Sequence, residues 1–153
     1  MAKKSFDTIF MHLATDLALR SHCVKAQVGA VLTKDTRIIS IGYNGPPAGT
    51  HNCDEEWPEY GCARDAKGSC SLALHAEQNA ILYAVKNGAK LEGATLYVTL
   101  SPCLPCARLI FSAGISDVFY RKSYAAYKGF TADEGVDFLN RFGVPTKQYD
   151  LTE

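Results

Sequence analysis

Three soft metal donors and one carboxylate are divided between two short motifs, each placed like the opening of a helix. The first is His75-Ala76-Glu77 and the second is Pro102-Cys103-Leu104-Pro105-Cys106. If one ion is served by both, the fold must bring two helix N-termini together. Residues i and i+2 of a regular helix point to nearly opposite sides. His75 and Glu77 can therefore face one metal only if His75 sits at the helix edge. Residues three apart share a face, and the missing N–H of Pro105 is harmless only within a first turn. The second helix is therefore expected to begin near Pro102 or Cys103, with both sulfurs in its first turn.

A zinc ion held by one His and two Cys keeps a fourth position open for water. The expected ligands are His75, Cys103 and Cys106. The helix dipole and the cation both favour the thiolates. Zinc lowers the pKa of bound water toward about 7. The expected reaction is hydrolytic deamination: zinc-bound hydroxide attacks a ring carbon bearing an exocyclic amine. Glu77 takes the water proton, protonates the ring nitrogen and then helps ammonia leave. H-x-E alone is a weak signal, and C-x-x-C alone competes with redox and structural-zinc readings. Together they match the H-x-E…P-C-x-x-C signature of zinc-dependent nucleobase deaminases.

The 153 residues suit one domain, read here as 1–153. Sixteen basic and sixteen acidic residues give a net charge of 0, which counts against a large nucleic-acid footprint. Asp7, His12 and Asp16 interrupt the apolar N-terminal positions, so no secretory signal is expected there. No apolar stretch is long enough for a bilayer. The chain is expected in a reducing cytoplasm (a host's cytoplasm for a phage-borne copy), where thiols act as ligands or nucleophiles.

Phe6, Ile9, Phe10, Leu13 and Leu17 recur at helical spacing behind Ser5, predicting a helix over 5–20. Two Val/Ile-rich runs, 27–33 and 37–43, predict a hairpin. Residues 44–74 read as a long Cys-containing loop, with Asp54-Glu55-Glu56 a solvated face. A helix then runs from His75 to Asn87-Gly88. It is followed by a strand at 94–100, a helix at 103–113, a strand at 116–121, a helix at 131–142 and a strand at 144–149. The order predicts a three-layer α/β/α sandwich on a mixed five-stranded sheet with parallel crossovers in its second half.

The chain resembles the deoxycytidylate (dCMP) deaminases of bacteria and phages, within the cytidine deaminase superfamily. The resemblance is carried by Val28-Gly29-Ala30-Val31, Gly42-Tyr43-Asn44-Gly45, His75-Ala76-Glu77-Gln78-Asn79-Ala80-Ile81, Gly93 to Thr99, and Ser101-Pro102-Cys103 with Cys106-Ala107 and Gly114-Ile115. It implies the zinc ligands and proton shuttle already named. It also implies Asn44 near the deoxynucleotide, Tyr124 in the pocket, a homohexamer, activation by dCTP, inhibition by dTTP and supply of dUMP for thymidylate synthesis. Asn-Gly is also an ordinary turn pair, and Tyr124 and Tyr127 have a plain packing alternative. Arg20, Lys25, Arg121, Lys122 and Lys128 all remain candidates for the phosphate.

Cys23, Cys53, Cys62 and Cys70 are left over. A loop with little core cannot order itself, and a metal site contributes folding energy. A second, structural zinc is therefore expected on these four, with His51 as the alternative fourth ligand. Free buried thiols are the plainer alternative. Three rival functions remain. A tRNA adenosine-type polynucleotide deaminase would want a basic groove. Small free-cytidine deaminases usually carry Cys where this chain has His75. A non-catalytic zinc module would have no use for Glu77 beside an open position.

Overall fold

The computed structural model describes residues 2–56 and 62–151. Helix α1 spans Phe6–Ala18, with the Ser5 hydroxyl accepting from the Thr8 N–H at 3.1 Å as the N-cap. The hairpin is β1 (Gly29–Lys34) and β2 (Arg37–Tyr43). Next come α2 (Cys53–Glu56), α3 (Ala76–Lys86), β3 (Thr95–Leu100) and α4 (Leu104–Ser112). The chain continues through β4 (Asp117–Lys122), α5 (Tyr124–Lys128), α6 (Glu134–Arg141) and β5 (Thr146–Gln148).

The strands form one sheet in the order β2-β1-β3-β4-β5. β1 runs antiparallel to β2 and β3, while β3, β4 and β5 are parallel. The mixed five-stranded sheet and the parallel crossovers of the second half are as expected. Alternating residues of the central strands divide the core. Leu32, Leu96, Val98 and Val118 pack with Ala80, Ile81, Ala84, Ala107, Ile110 and Leu139 from α3, α4 and α6. Val31, Tyr97 and Phe119 face Phe10, Met11 and Ala14 of α1 on the other side. Among the described residues no helix is long and apolar enough to cross a membrane.

Two short helices were not expected. Four residues of the 44–74 loop form α2, so the acidic run is part of a helix. α5 occupies what reads as a connection, held by Ser123 at its start and by Gly129 at φ +74° after its end. The last helix begins at Glu134 rather than Thr131, because Asp133 is its N-cap.

Candidate active site

β3 ends at Leu100, and Ser101-Pro102-Cys103 turns the chain into α4. Cys103 is the N-cap of α4, with Pro105 in the first turn where its missing N–H costs nothing. The helix thus starts one residue later than expected, and Cys103 lies just outside it. His75 is the N-cap of α3, at the helix edge that its spacing from Glu77 requires. Its backbone N–H donates to Gln78 Oε1 at 2.8 Å, half of a capping box. The imidazole is left to face the sulfurs.

Nδ1 of His75 lies 3.2 Å from Cys106 Sγ and 3.4 Å from Cys103 Sγ. A tetrahedral N···S edge built from ordinary Zn–N and Zn–S bonds is about 3.5 Å. The donor spacing therefore fits zinc, and three donors leave one position free. In the metal-free group, a hydrogen bond from Cys106 draws the Cys103 thiol down to about 4. The same hydrogen bond and burial hold the Cys106 thiol up. Only one sulfur readily ionises until a cation arrives to bear both charges. The hydrogen bond to Cys103 raises the His75 pKa.

Glu77 is 4% exposed. Burial pushes its carboxyl from the ordinary range up to about 7, against the opposing pull of its own backbone N–H and of His75. A carboxyl poised near neutrality suits a group that must both take and give a proton. His75, Glu77 and Cys103 line a cleft of about 160 Å³ with Asn44, Tyr124, Lys25 and Lys128. A neighbouring cleft of about 520 Å³ shares Cys103 and Tyr124.

Asn44 is placed in the cleft, but half of its amide is spent. Its Oδ1 accepts from the Val28 N–H at 2.8 Å, and its Nδ2 donates to the Ala26 carbonyl at 2.8 Å. The flanking residues of Gly42-Tyr43-Asn44-Gly45 do structural work. A Cβ on Gly42 would stand 2.5 Å from the Ala76 carbonyl oxygen, so only glycine lets α3 approach β2 this closely. Asn79 Nδ2 donates to the Tyr43 carbonyl at 2.9 Å. The G-Y-N-G and H-A-E-Q-N segments are thus one interlocked unit.

Two supporting residues had no separate signal in the sequence. Asp133 Oδ2 accepts from Ser101 Oγ at 2.7 Å and Ser123 Oγ at 3.0 Å, and Ser101 Oγ accepts from the Tyr124 N–H at 2.6 Å. This network ties α5 and α6 to the turn that carries Cys103. Gly135 presses on the same turn, where an added Cβ would lie 1.9 Å from the Pro102 carbonyl oxygen. Gly135→Ala is expected to destabilise the protein by about 1–3 kcal/mol and to lower zinc content with it. Thermal melting and metal analysis check this; an unchanged melting temperature would show that the Pro102 turn yields freely.

The 44–74 loop is less closely gathered. Among the described residues, the groups whose donors all lie within 4.8 Å of one another are His75/Cys103/Cys106 and His22/Asp54/Glu55. The four remaining cysteines do not form such a group. They are neighbours nonetheless: burial raises the Cys53 thiol, with smaller contributions from Cys70, Cys62 and Cys23. His51 stands exposed, with Nδ1 3.8 Å from Glu56 Oε2.

The family model for the cytidine and deoxycytidylate deaminase zinc-binding region matches residues 4–122. The chain belongs to this family. It is a zinc-dependent deaminase, with Zn²⁺ as its cofactor. Deoxycytidylate deaminase of Saccharomyces cerevisiae is 37% identical over 158 residues, which span all of this chain but 47% of the yeast protein. ComE operon protein 2 of Bacillus subtilis is 37% identical over 153 residues, 100% of this chain and 76% of that protein. The crystal structure of the dCMP deaminase from cyanophage S-TIM5 in complex with dCMP and dUMP superposes with a TM-score of 0.79. It is 31% identical, with 97% of this chain and 100% of the phage chain covered.

Proposed function

We propose that the protein deaminates dCMP hydrolytically to dUMP and ammonia. One observation carries this reading: the likeness, along nearly its whole length, to a phage enzyme solved with dCMP and dUMP. The geometry supports it, because three metal donors and a buried carboxyl converge in one cleft. In this reading His75, Cys103 and Cys106 hold the zinc ion. Zinc supplies, when bound, Lewis acidity that makes water nucleophilic near neutral pH. Glu77 takes the water proton and delivers it to the ring nitrogen; it then takes the proton of the new hydroxyl on the ring carbon and passes it to the departing amine, leaving the carbonyl of dUMP. Burial keeps its proton affinity near the working pH for both rounds of uptake and release. Tyr124 forms the cleft wall, and Asn44 holds the 26–28 backbone that forms its rim.

Loss of the amine-bearing pyrimidine absorbance would be followed with dCMP, cytidine, dCTP and an RNA stem-loop. Each would be run with and without dCTP and dTTP. Turnover of dCMP above the other three supports the reading, and preference for the stem-loop would replace it with polynucleotide editing. A homohexamer, activation by dCTP, inhibition by dTTP and provision of dUMP for thymidylate synthesis belong to the same reading. The resemblance to deoxycytidylate deaminases supports them.

A second zinc on Cys23, Cys53, Cys62 and Cys70 is also proposed. His22 Nδ1 lies 3.0 Å from the Asp54 carboxylate, which draws the residue before Cys23 to the residue after Cys53. A loop-ordering metal gathers its ligands as the loop folds, so the sulfurs need not be preassembled. Protein purified without added metal is expected to carry about two zinc ions per chain, and Cys53→Ser about one fewer with a lower melting temperature. One zinc per wild-type chain would sink the idea.

A further inference from the structure

α6 opens on Asp133, and the side chain of this residue does not serve its own helix. An aspartate in that place ordinarily accepts from a backbone N–H of the first turn. Here no such bond is made. Oδ2 is turned instead to the hydroxyls of Ser101 and Ser123. Oδ1 is buried and, among the described residues, has no hydrogen-bond partner. No cation among those residues pairs with the carboxylate. A buried acceptor left without a partner costs free energy, so its retention calls for a reason outside the helix.

That reason lies at the end of β3. Ser101 is 2% exposed and borders the catalytic cleft two residues before Cys103. Its N–H donates to the Lys122 carbonyl at 2.8 Å, which ties it to the end of β4. A hydroxyl has one proton and two lone pairs, whereas a carboxylate can only accept. Asp133 therefore takes the Ser101 proton and leaves the oxygen to receive the Tyr124 N–H at 2.6 Å. Ser123 repeats the pattern: its proton goes to Asp133, and its oxygen accepts from the Ala126 N–H at 3.3 Å. One acceptor thus sets the direction of both hydroxyls. Tyr124 borders the catalytic cleft and the larger one beside it, together with Cys103 in each.

We propose that Asp133 is a positioning residue for the deamination, acting through Ser101 to fix the Tyr124 wall relative to the metal donors. Asp133 itself lines neither cleft. Its influence reaches the substrate by two hydrogen bonds in series, from Asp133 to Ser101 and from Ser101 to the Tyr124 backbone. The proposal rests on the deaminase chemistry and takes dCMP as substrate from the reading above. The metal donors stand at the starts of α3 and α4, outside this chain of bonds. Loss of Asp133 therefore loosens where the ring sits and leaves the metal as it was. Misplacing a reacting group by about 1 Å costs up to about 100-fold in rate.

The test uses zinc-loaded protein with dCMP, and cobalt-loaded protein whose visible absorption reports donor geometry. Asp133→Ala and Ser101→Ala are each expected to lower kcat/KM by about 10- to 100-fold. Because both cut the same path, the double variant should lose no more than the larger single loss. Asp133→Asn should keep most of the wild-type value, since an amide oxygen still accepts from both hydroxyls. Ser123→Ala leaves the Ser101 arm whole and should lose less than Ser101→Ala. The cobalt spectrum should stay that of wild type throughout. The proposal is overturned if the single losses multiply in the double variant, if Asp133→Asn falls as far as Asp133→Ala, or if the alanine variants keep full activity. A shifted cobalt spectrum in Asp133→Ala would overturn it too, by placing the effect on the metal. If Asp133→Ala does not fold, Asp133→Asn set against Ser101→Ala decides the same point. A wild type that turns over another amine-bearing substrate but not dCMP would overturn the dCMP reading. The same variants compared on that substrate would then decide the role of Asp133.

Discussion

Glu77→Gln is expected to lower dCMP turnover by about 10²–10⁴-fold while zinc remains at wild-type occupancy. The substitution keeps shape and hydrogen-bonding reach but cannot take up and release a proton. Because Glu77 is not one of the three gathered donors, metal content should not follow activity. Retained turnover would remove Glu77 from its role. The same variant has a stability signature in chelator-treated protein. The folded pKa of Glu77 lies near 7, above its ordinary value of 4.5. Ionising the buried carboxyl therefore costs stability, starting above 4.5 and reaching its full extent above 7. Glutamine has no such cost. Metal-free Glu77→Gln should melt above metal-free wild type at pH 8, and the gap should close as the pH falls toward 4.5. A gap that widens on acidification would mean that Glu77 is stabilised as a carboxylate.

Cys103→Ala is expected to remove about one zinc per chain and, with it, all measurable deamination. Two remaining donors cannot close a zinc site, and the sulfur that ionises most readily is the one lost. Cys103 suits the test better than Cys106. Cys106 is fully buried, so its truncation would also open the core beside α4. Cys103 is only partly buried, and the alanine variant should fold. Full metal occupancy in Cys103→Ala would contradict the assignment. Retention of the metal with loss of activity would move Cys103 from ligand to cleft wall.

The elements legible in the sequence are those with a repeated or punctuated signal. Ser5 before an apolar stripe marks α1, Val/Ile runs mark the hairpin, and Asn87-Gly88 marks the end of α3. The edge position of His75 follows from its spacing to Glu77 alone. α5 was not legible, because five residues are too few to show a helical period. Its one available signal was the bracket of Ser123 before and Gly129 after. Gly135 was opaque for another reason. Glycine inside a helix reads as a defect, and its purpose appears only when the Pro102 carbonyl is seen against it. Asn44 lines the cleft, and its amide also bonds to the 26–28 backbone, a second use that the motif does not reveal. No one-dimensional pattern brings Lys25 and Lys128 into one cleft, since their meeting depends on Tyr127 reaching the Lys25 carbonyl from α5.

The connection from Ser123 to Asp133 meets the turn before α4 through side-chain and backbone bonds centred on Ser101. The metal donors sit instead on the rigid starts of α3 and α4. The metal donors and the cleft wall at Tyr124 therefore belong to separate stretches of the chain. Residues 124–132 lie between Ser123 and Asp133, whose side chains bond to each other, and are tied once more where Tyr127 meets the Lys25 carbonyl. A lineage, or an engineer, could rewrite that stretch to admit a different amine-bearing ring while the water-activating machinery stays as it is.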